Sequence, residues 1–112
     1  MEGQEKVMIQ DIRGKLEHGF YINNLIDMAE QFQELSLSSE WSSTCFLMNQ
    51  VLLYIAQKCD VHPLLTQQVL RIETEMKPSI LALLDNLENA PTAEQIKSDL
   101  DQIVTKLLGL NL

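Results

Sequence analysis

Apolar residues recur at steps of three and four along most of the chain, which is the period of an amphipathic α-helix. Short polar stretches separate five such segments, and short connections favour antiparallel neighbours. The pattern therefore predicts an all-α, single-domain antiparallel bundle of four or five helices across residues 1–112. The predicted helices cover residues 4–17, 20–35, 40–59, 63–87 and 93–108.

Glycine and serine residues mark the predicted ends of the first helices. Gly19 follows His18 at a point where a helix can end on a left-handed residue. Residues 4–35 are therefore predicted to form two helices, and one kinked helix is the alternative. A serine hydroxyl can accept from the free amides of a first helical turn, so Ser38 or Ser39 is expected to cap the third helix.

The last helix carries signals at both of its ends. Thr92 and Gln95 have the spacing of a capping box, in which each side chain bonds the backbone amide of the other residue. Gly109 is predicted to be the left-handed residue that ends this helix. Leu110 would then pack back against Val104.

The fourth segment contains a proline inside its apolar stripe. Pro78 has no amide hydrogen, and its ring clashes with the preceding turn, so we predict a kink near Pro78. The stripe keeps its phase across the proline, which favours one kinked helix over two unrelated ones. The stripe comprises Leu65, Val69, Ile72, Met76, Ile80, Leu83 and Leu87.

The third segment has the widest apolar surface. A helix that is apolar nearly all round is typical of a position buried on several sides. We therefore predict that this helix lies at the centre of the bundle. Its main stripe comprises Trp41, Cys45, Met48, Leu52, Ile55 and Cys59, and the stripe is widened by Phe46, Leu47, Val51, Leu53 and Tyr54.

The composition is that of a folded, acidic protein. Hydrophobic residues make up 46% of the 112 positions, which is too many for a disordered chain. Lys and Arg number 8 against 16 Asp and Glu, so the formal net charge is −8. Nucleic-acid binding requires a cationic face, so DNA and RNA are not expected as partners. An acidic surface instead favours a protein partner with a basic surface.

The lack of a recognisable targeting signal and the spacing of the two cysteines predict a cytoplasmic protein that does not enter a membrane. The first residues lack the basic and apolar regions of a secretory signal. The most apolar run, residues 45–56, is shorter than the roughly 20 residues that a membrane span needs. Cys45 and Cys59 would lie about 21 Å apart along one helix. They are therefore too far apart to form a disulfide, as is usual in a reducing compartment.

Candidate catalytic chemistry is sparse. Neither His18 nor His62 follows a glutamate by three residues, which is the spacing used in di-metal carboxylate bundles. The sequence has no glycine-rich phosphate loop and no Gly-x-Ser-x-Gly turn. We therefore expect no cofactor, no metal ion and no catalytic residue.

Two alternative functions follow from other residues. Asp27, Glu30 and Glu34 are spaced three and four apart on one helix face and would hold Mg²⁺ in an all-α nucleotide pyrophosphatase. Met48 and Met76 would line a site for a small apolar ligand between helices.

Aromatic side chains at helix ends are the candidate contact residues. Phe20 and Tyr21 follow Gly19, and Trp41, the only tryptophan, begins the third helix. Such side chains are frequent interface anchors, and the alternative is that they cover the end of the core. Together with the surplus apolar surface, they predict a non-enzymatic protein–protein interaction module. It would be a small acidic adaptor or regulator that forms a homo-oligomer through apolar helix faces.

Overall fold

Five α-helices make up the computed structural model, which describes residues 3–61 and 66–112. Sequential helices form an antiparallel bundle, and the described residues include no strand. The predicted all-α fold class is therefore confirmed. The helices are α1 (Gly3–Glu17), α2 (Ile22–Ser38), α3 (Ser42–Val61), α4 (Thr66–Glu88) and α5 (Ala93–Gly109).

The junction between α1 and α2 separates two helices, as predicted. Gly19 adopts a left-handed conformation with φ +100°, which costs a glycine little. Asn24, buried in the first turns of α2, reaches back across this junction. Its Nδ2 donates to the carbonyl oxygens of Lys15 at 2.6 Å and Gly19 at 2.7 Å. These bonds satisfy carbonyls at the end of α1 and hold the two helices together.

The sequence predicted the start of α5 correctly but not the residue that adopts the left-handed conformation at its end. The capping box is present, because the amide of Gln95 donates to Thr92 Oγ1 and the amide of Thr92 donates to Gln95 Oε1. The prediction for Gly109 is wrong, since Gly109 lies inside the helix and Asn111 adopts the left-handed conformation with φ +54°. Asparagine tolerates that conformation, so the left-handed residue comes two positions after the glycine that ends the helix.

Helix α4 continues through Pro78 as one element, as the unbroken phase of its stripe indicated. A bend at Pro78 stays a prediction. The sequence-based turn over residues 60–63 lies only partly within the described chain. Asp60 and Val61 belong to α3, whereas His62 and Pro63 are outside the described residues.

The core is arranged around α1 and α2. Helix α2 packs most extensively against α3, α1 contacts both α2 and α4, and α4 pairs with α5. The prediction that α3 lies at the centre is wrong, because its backbone packs closely only against α2 among the described helices. The predicted core stripes are confirmed at the fully buried positions Ile9, Ile12, Leu16, Leu25, Ala29, Phe32, Cys45, Met48, Leu52, Ile55, Met76, Ile80, Leu83 and Ile103.

Ion pairs fix the antiparallel alignment of α1 and α4. The Arg13 guanidinium donates to Asp85 Oδ1 at 2.6 Å and to Glu88 Oε1 at 2.7 Å. One turn beyond Arg13, Lys77 Nζ lies 3.1 Å from Glu17 Oε2. The hydrogen bond to Glu88 raises the pKa of Arg13 against the opposing effect of burial, and Asp85 raises it further. Arg13 therefore stays charged and joins the two helices through a forked contact.

Candidate interaction surface

One side of α3 presents apolar side chains to solvent. Phe46 is 53% exposed, and Leu47, Leu53 and Tyr54 are 37%, 39% and 40% exposed. Positions one, seven and eight residues after Phe46 fall on the same side of a helix. We call these four side chains the α3 face. The wide apolar surface of α3 predicted burial on several sides together with surplus apolar surface for a partner, and the structure leaves these four side chains partly exposed.

An open groove continues the α3 face toward α5. Helix α5 lies beside the start of α3, but the two backbones do not pack closely. The resulting α3–α5 groove has a volume of about 370 Å³. Its lining is mainly apolar and consists of Trp41, Thr44, Leu47, Ala93, Ile96, Lys97, Leu100, Asp101 and Val104.

Tyr54 links the far end of the α3 face to the end of the chain. Its hydroxyl donates to the Leu112 carbonyl oxygen at 3.5 Å, a long and exposed hydrogen bond. Lys58 Nζ lies 5.3 Å from the centre of the Tyr54 ring, within the range of a cation–π contact. The aromatic ring is thus positioned by its neighbours while its surface stays accessible.

A second, more polar cavity lies at one end of the bundle, and we call it the end pocket. It has a volume of about 320 Å³ and forms where the start of α1, the α2–α3 loop and the end of α4 meet. Trp41 lies between this pocket and the α3–α5 groove, since it lines both. The full lining is Glu5, Lys6, Glu40, Trp41, Leu87, Glu88, Asn89 and Ala90.

Cys45 lies beneath this end of the molecule as a buried free thiol. Loss of solvent raises the pKa of the Cys45 thiol to about 12. A hydrogen bond with Ser39 lowers it in part, and the negative charge of Glu5 raises it. Ser39 also accepts from the Trp41 amide at 3.0 Å, within the turn that precedes α3, and not from an amide of the first turn of the helix, so capping of α3 by Ser38 or Ser39 stays a prediction. Cys45 therefore stays a neutral thiol near neutral pH.

The three predicted contact aromatics are placed differently. Phe20 is 2% exposed and belongs to the core, where it covers the apolar interior. Tyr21 is 55% exposed on the surface. Trp41 is partly buried, and its Nε1 has no acceptor among the described residues although it is shielded from solvent. Of the three, only Trp41 lines the cavities described above.

The residues of the two alternative functions line neither of the two cavities. Asp27, Glu30 and Glu34 are exposed on α2. Within residues 3–61 and 66–112, no three His, Cys, Asp or Glu side chains are arranged to hold a metal ion. Met48 and Met76 are fully buried in the core and line neither the α3–α5 groove nor the end pocket.

Comparison with known proteins gives no direct guide to function. The chain matches no protein-family model, no curated protein and no solved structure. None of the described helices has the length and apolar character needed to cross a membrane. The functional inference therefore depends on the surfaces of this chain, and the α3 face exposes four large apolar side chains on one helix.

Proposed function

We propose that this protein is a non-enzymatic protein–protein interaction module that self-associates through the α3 face. The observation that carries the proposal is the exposure of four large apolar side chains, two of them aromatic, on one side of one helix. Small soluble proteins rarely leave contiguous apolar surface uncovered unless a partner covers it. Aromatic residues are also enriched among those that contribute most to binding.

The charge distribution favours a second copy of the chain as the partner. Helix α3 has no charged side chain from Ser42 to Gln57, although the whole chain carries a net charge of −8. A two-fold dimer places the same patch of both subunits in contact. Carboxylates on that patch would therefore repel one another, and an uncharged face avoids this cost.

The size of the surface indicates a weak dimer. From Phe46 to Tyr54 the α3 face extends about 12 Å along the helix axis. A standard interface buries about 800 Å² on each partner. The interface must therefore extend into the α3–α5 groove, where Trp41, Leu100 and Val104 supply further apolar surface. We expect a dissociation constant in the micromolar range.

The proposal also includes a second protein partner and a cellular compartment. Asp27, Glu30 and Glu34 give the outer side of α2 a negative surface that suits a basic protein partner. This surface is separate from the α3 face, so an adaptor or regulator of this kind would bind such a partner as a homo-oligomer. We propose the cytoplasm as its compartment, in keeping with the free thiol of Cys45.

The test compares two substitutions that each place one glutamate at an exposed apolar position. Phe46→Glu introduces charge into the α3 face, whereas Leu37→Glu introduces it on α2 at a position that is 84% exposed. Light scattering across micromolar concentrations should show the wild type and Leu37→Glu approaching the dimer mass. Phe46→Glu should stay monomeric while keeping its helical circular dichroism.

Two results would contradict self-association through the α3 face. One is a wild-type protein that remains monomeric throughout the micromolar range. The other is an equal loss of association in Phe46→Glu and Leu37→Glu, which would show that net charge and not the location of the glutamate controls the assembly.

A further inference from the structure

The exposed side of α3 is symmetric about Gln50. Its exposed positions lie three, four and seven residues from Gln50 in both directions. Helical spacing alone accounts for the symmetry of the positions, but it does not require the same class of residue at matching positions. Along the chain the classes are polar, aromatic, leucine, glutamine, leucine, aromatic and polar, and the residues are Ser43, Phe46, Leu47, Gln50, Leu53, Tyr54 and Gln57.

The amide of Gln50 has bonding capacity to spare at the centre of this surface. Its Nε2 donates to Asn49 Oδ1 at 2.8 Å, and Asn49 is itself buried and bonded to the Ala29 carbonyl oxygen at 2.7 Å. A glutamine amide has two donor hydrogens and an accepting oxygen. Among the hydrogen bonds of the described chain, the second hydrogen and Oε1 of Gln50 have no partner. One donor and one acceptor form a set that a second Gln50 amide complements.

We infer, on the basis of the proposed self-association, that two copies align their α3 helices antiparallel with a two-fold axis at Gln50. Such an axis places each residue level with the one equally far on the other side of Gln50 in the second copy. Phe46 and Leu47 then meet Leu53 and Tyr54 of the second copy, and the two Gln50 amides donate to each other. A single polar residue in an apolar contact fixes the register, because a shift would leave both amides without partners.

The antiparallel alignment is the one that uses the symmetry of the surface. In a parallel dimer every residue lies level with itself, whatever the order of residue classes. A parallel dimer would also place the two Lys58 side chains at the same level, whereas the antiparallel dimer separates them by about 24 Å along the helix axis. That distance exceeds the range of about 8 Å over which salt screens exposed charges. The start of each α3 also lies beside the end of the other, so the helix dipoles attract.

Cysteine cross-linking reads the alignment directly. Ser43→Cys and Gln57→Cys are made separately in a Cys59→Ser background, in which the remaining Cys45 is buried. A short bismaleimide should join the two variants when they are mixed, because these positions are level in the antiparallel dimer. It should join neither variant to itself, since the two copies of each position lie about 21 Å apart along the axis. A mixture of Ser43→Cys and Leu37→Cys, which is exposed on α2, measures cross-linking by random collision.

A matched pair of charged substitutions locates the axis. Gln50→Glu brings two carboxylates together at the axis and should raise the dissociation constant by about tenfold or more. Ser43→Glu adds the same charge to each copy, but the two carboxylates are about 21 Å apart along the axis, so the constant should change by less than a factor of about two. Light scattering gives both constants, and circular dichroism checks that both variants keep their helices.

Failure of the alignment can be told apart from failure of self-association. A wild type that stays monomeric would contradict both. If the wild type dimerises and Phe46→Glu does not, the α3 face is the interface, and the cross-links then decide the alignment. Self-linking of Ser43→Cys or Gln57→Cys as fast as the mixture, or a mixture no faster than the collision control, would overturn the antiparallel alignment. Equal weakening by Gln50→Glu and Ser43→Glu would overturn the axis at Gln50.

Discussion

Gly19 is the residue at which the backbone most strictly limits the side chain. Its φ of +100° is unfavourable for any residue with a Cβ, and a Cβ there would lie 3.3 Å from Glu73 Oε1. Gly19→Ala should therefore lower the free energy of unfolding by about 1–2 kcal/mol. Chemical denaturation followed by circular dichroism measures this change.

Gly14 is the control for that substitution. It lies inside α1, and a Cβ built there meets no atom within 4 Å. Gly14→Ala should raise the free energy of unfolding by about 0.5–1 kcal/mol, because alanine is the better helix former. If the two substitutions changed stability in the same direction, the conformation assigned to Gly19 would be wrong.

The thiol of Cys45 should be unreactive in the folded protein. Its pKa of about 12 leaves almost no thiolate at pH 8, and no solvent reaches the side chain. In a Cys59→Ser background, iodoacetamide should modify Cys45 only after denaturation, as mass spectrometry would show. Modification of the native protein at the rate of a free thiol would contradict this burial.

The same shift gives a direction to the pH dependence of stability. The folded state favours the neutral thiol more strongly than the unfolded state does, so the contribution of Cys45 to the free energy of unfolding is complete below the ordinary pKa of 9.0. That contribution decreases as the pH rises above 9.0 and is lost as it passes about 12.

Among the helices, α2 and α3 are joined by a buried polar contact. Asn49, which is 4% exposed, donates from Nδ2 to the Ala29 carbonyl oxygen at 2.7 Å. Asn49→Ala removes this bond inside the tightest helix pair and should lower the free energy of unfolding by about 2 kcal/mol. Asn23→Ala, at an exposed position on α2, should change it by less than about 0.5 kcal/mol. If urea denaturation showed the same loss of stability for Asn49→Ala and Asn23→Ala, the hydrogen bond of Asn49 would not stabilise the fold.

The sequence was a good guide within each helix and a poor one between helices. The stripe of α3 through Met48, Leu52 and Ile55 is buried as its period indicated. Phe46 and Leu53 extend that apolar pattern but face solvent. Which side of α3 is covered depends on the order in which the helices pack, and the period of one helix contains no information about its neighbours.

Contacts between elements are also the reason why the roles of the polar residues could not be predicted from the sequence. Asn24 and Arg13 make their main contacts with atoms on other elements, so neither residue type nor local spacing identifies them. Trp41, which lines both cavities, was singled out from sequence because it is a single large aromatic residue at a helix end. The end pocket was not, since Glu5, Glu40 and Glu88 come from three distant parts of the chain.

For the whole molecule, the uneven distribution of charge is the central property. The chain carries a net charge of −8, yet α3 is uncharged from Ser42 to Gln57 and exposes its apolar side chains there. The negative charge keeps most of the surface of two molecules apart. Under the proposed self-association, contact between copies would be directed to the α3 face, and the assembly would be specific as well as weak.

An isotope-filtered nuclear Overhauser experiment tests this claim most directly. Equal amounts of ¹³C-labelled and unlabelled protein are mixed at a concentration well above the expected dissociation constant. We predict intermolecular contacts between side chains of the α3 face, with Phe46, Leu53 and Tyr54 among them. The absence of intermolecular contacts, or contacts confined to a different surface, would contradict the account.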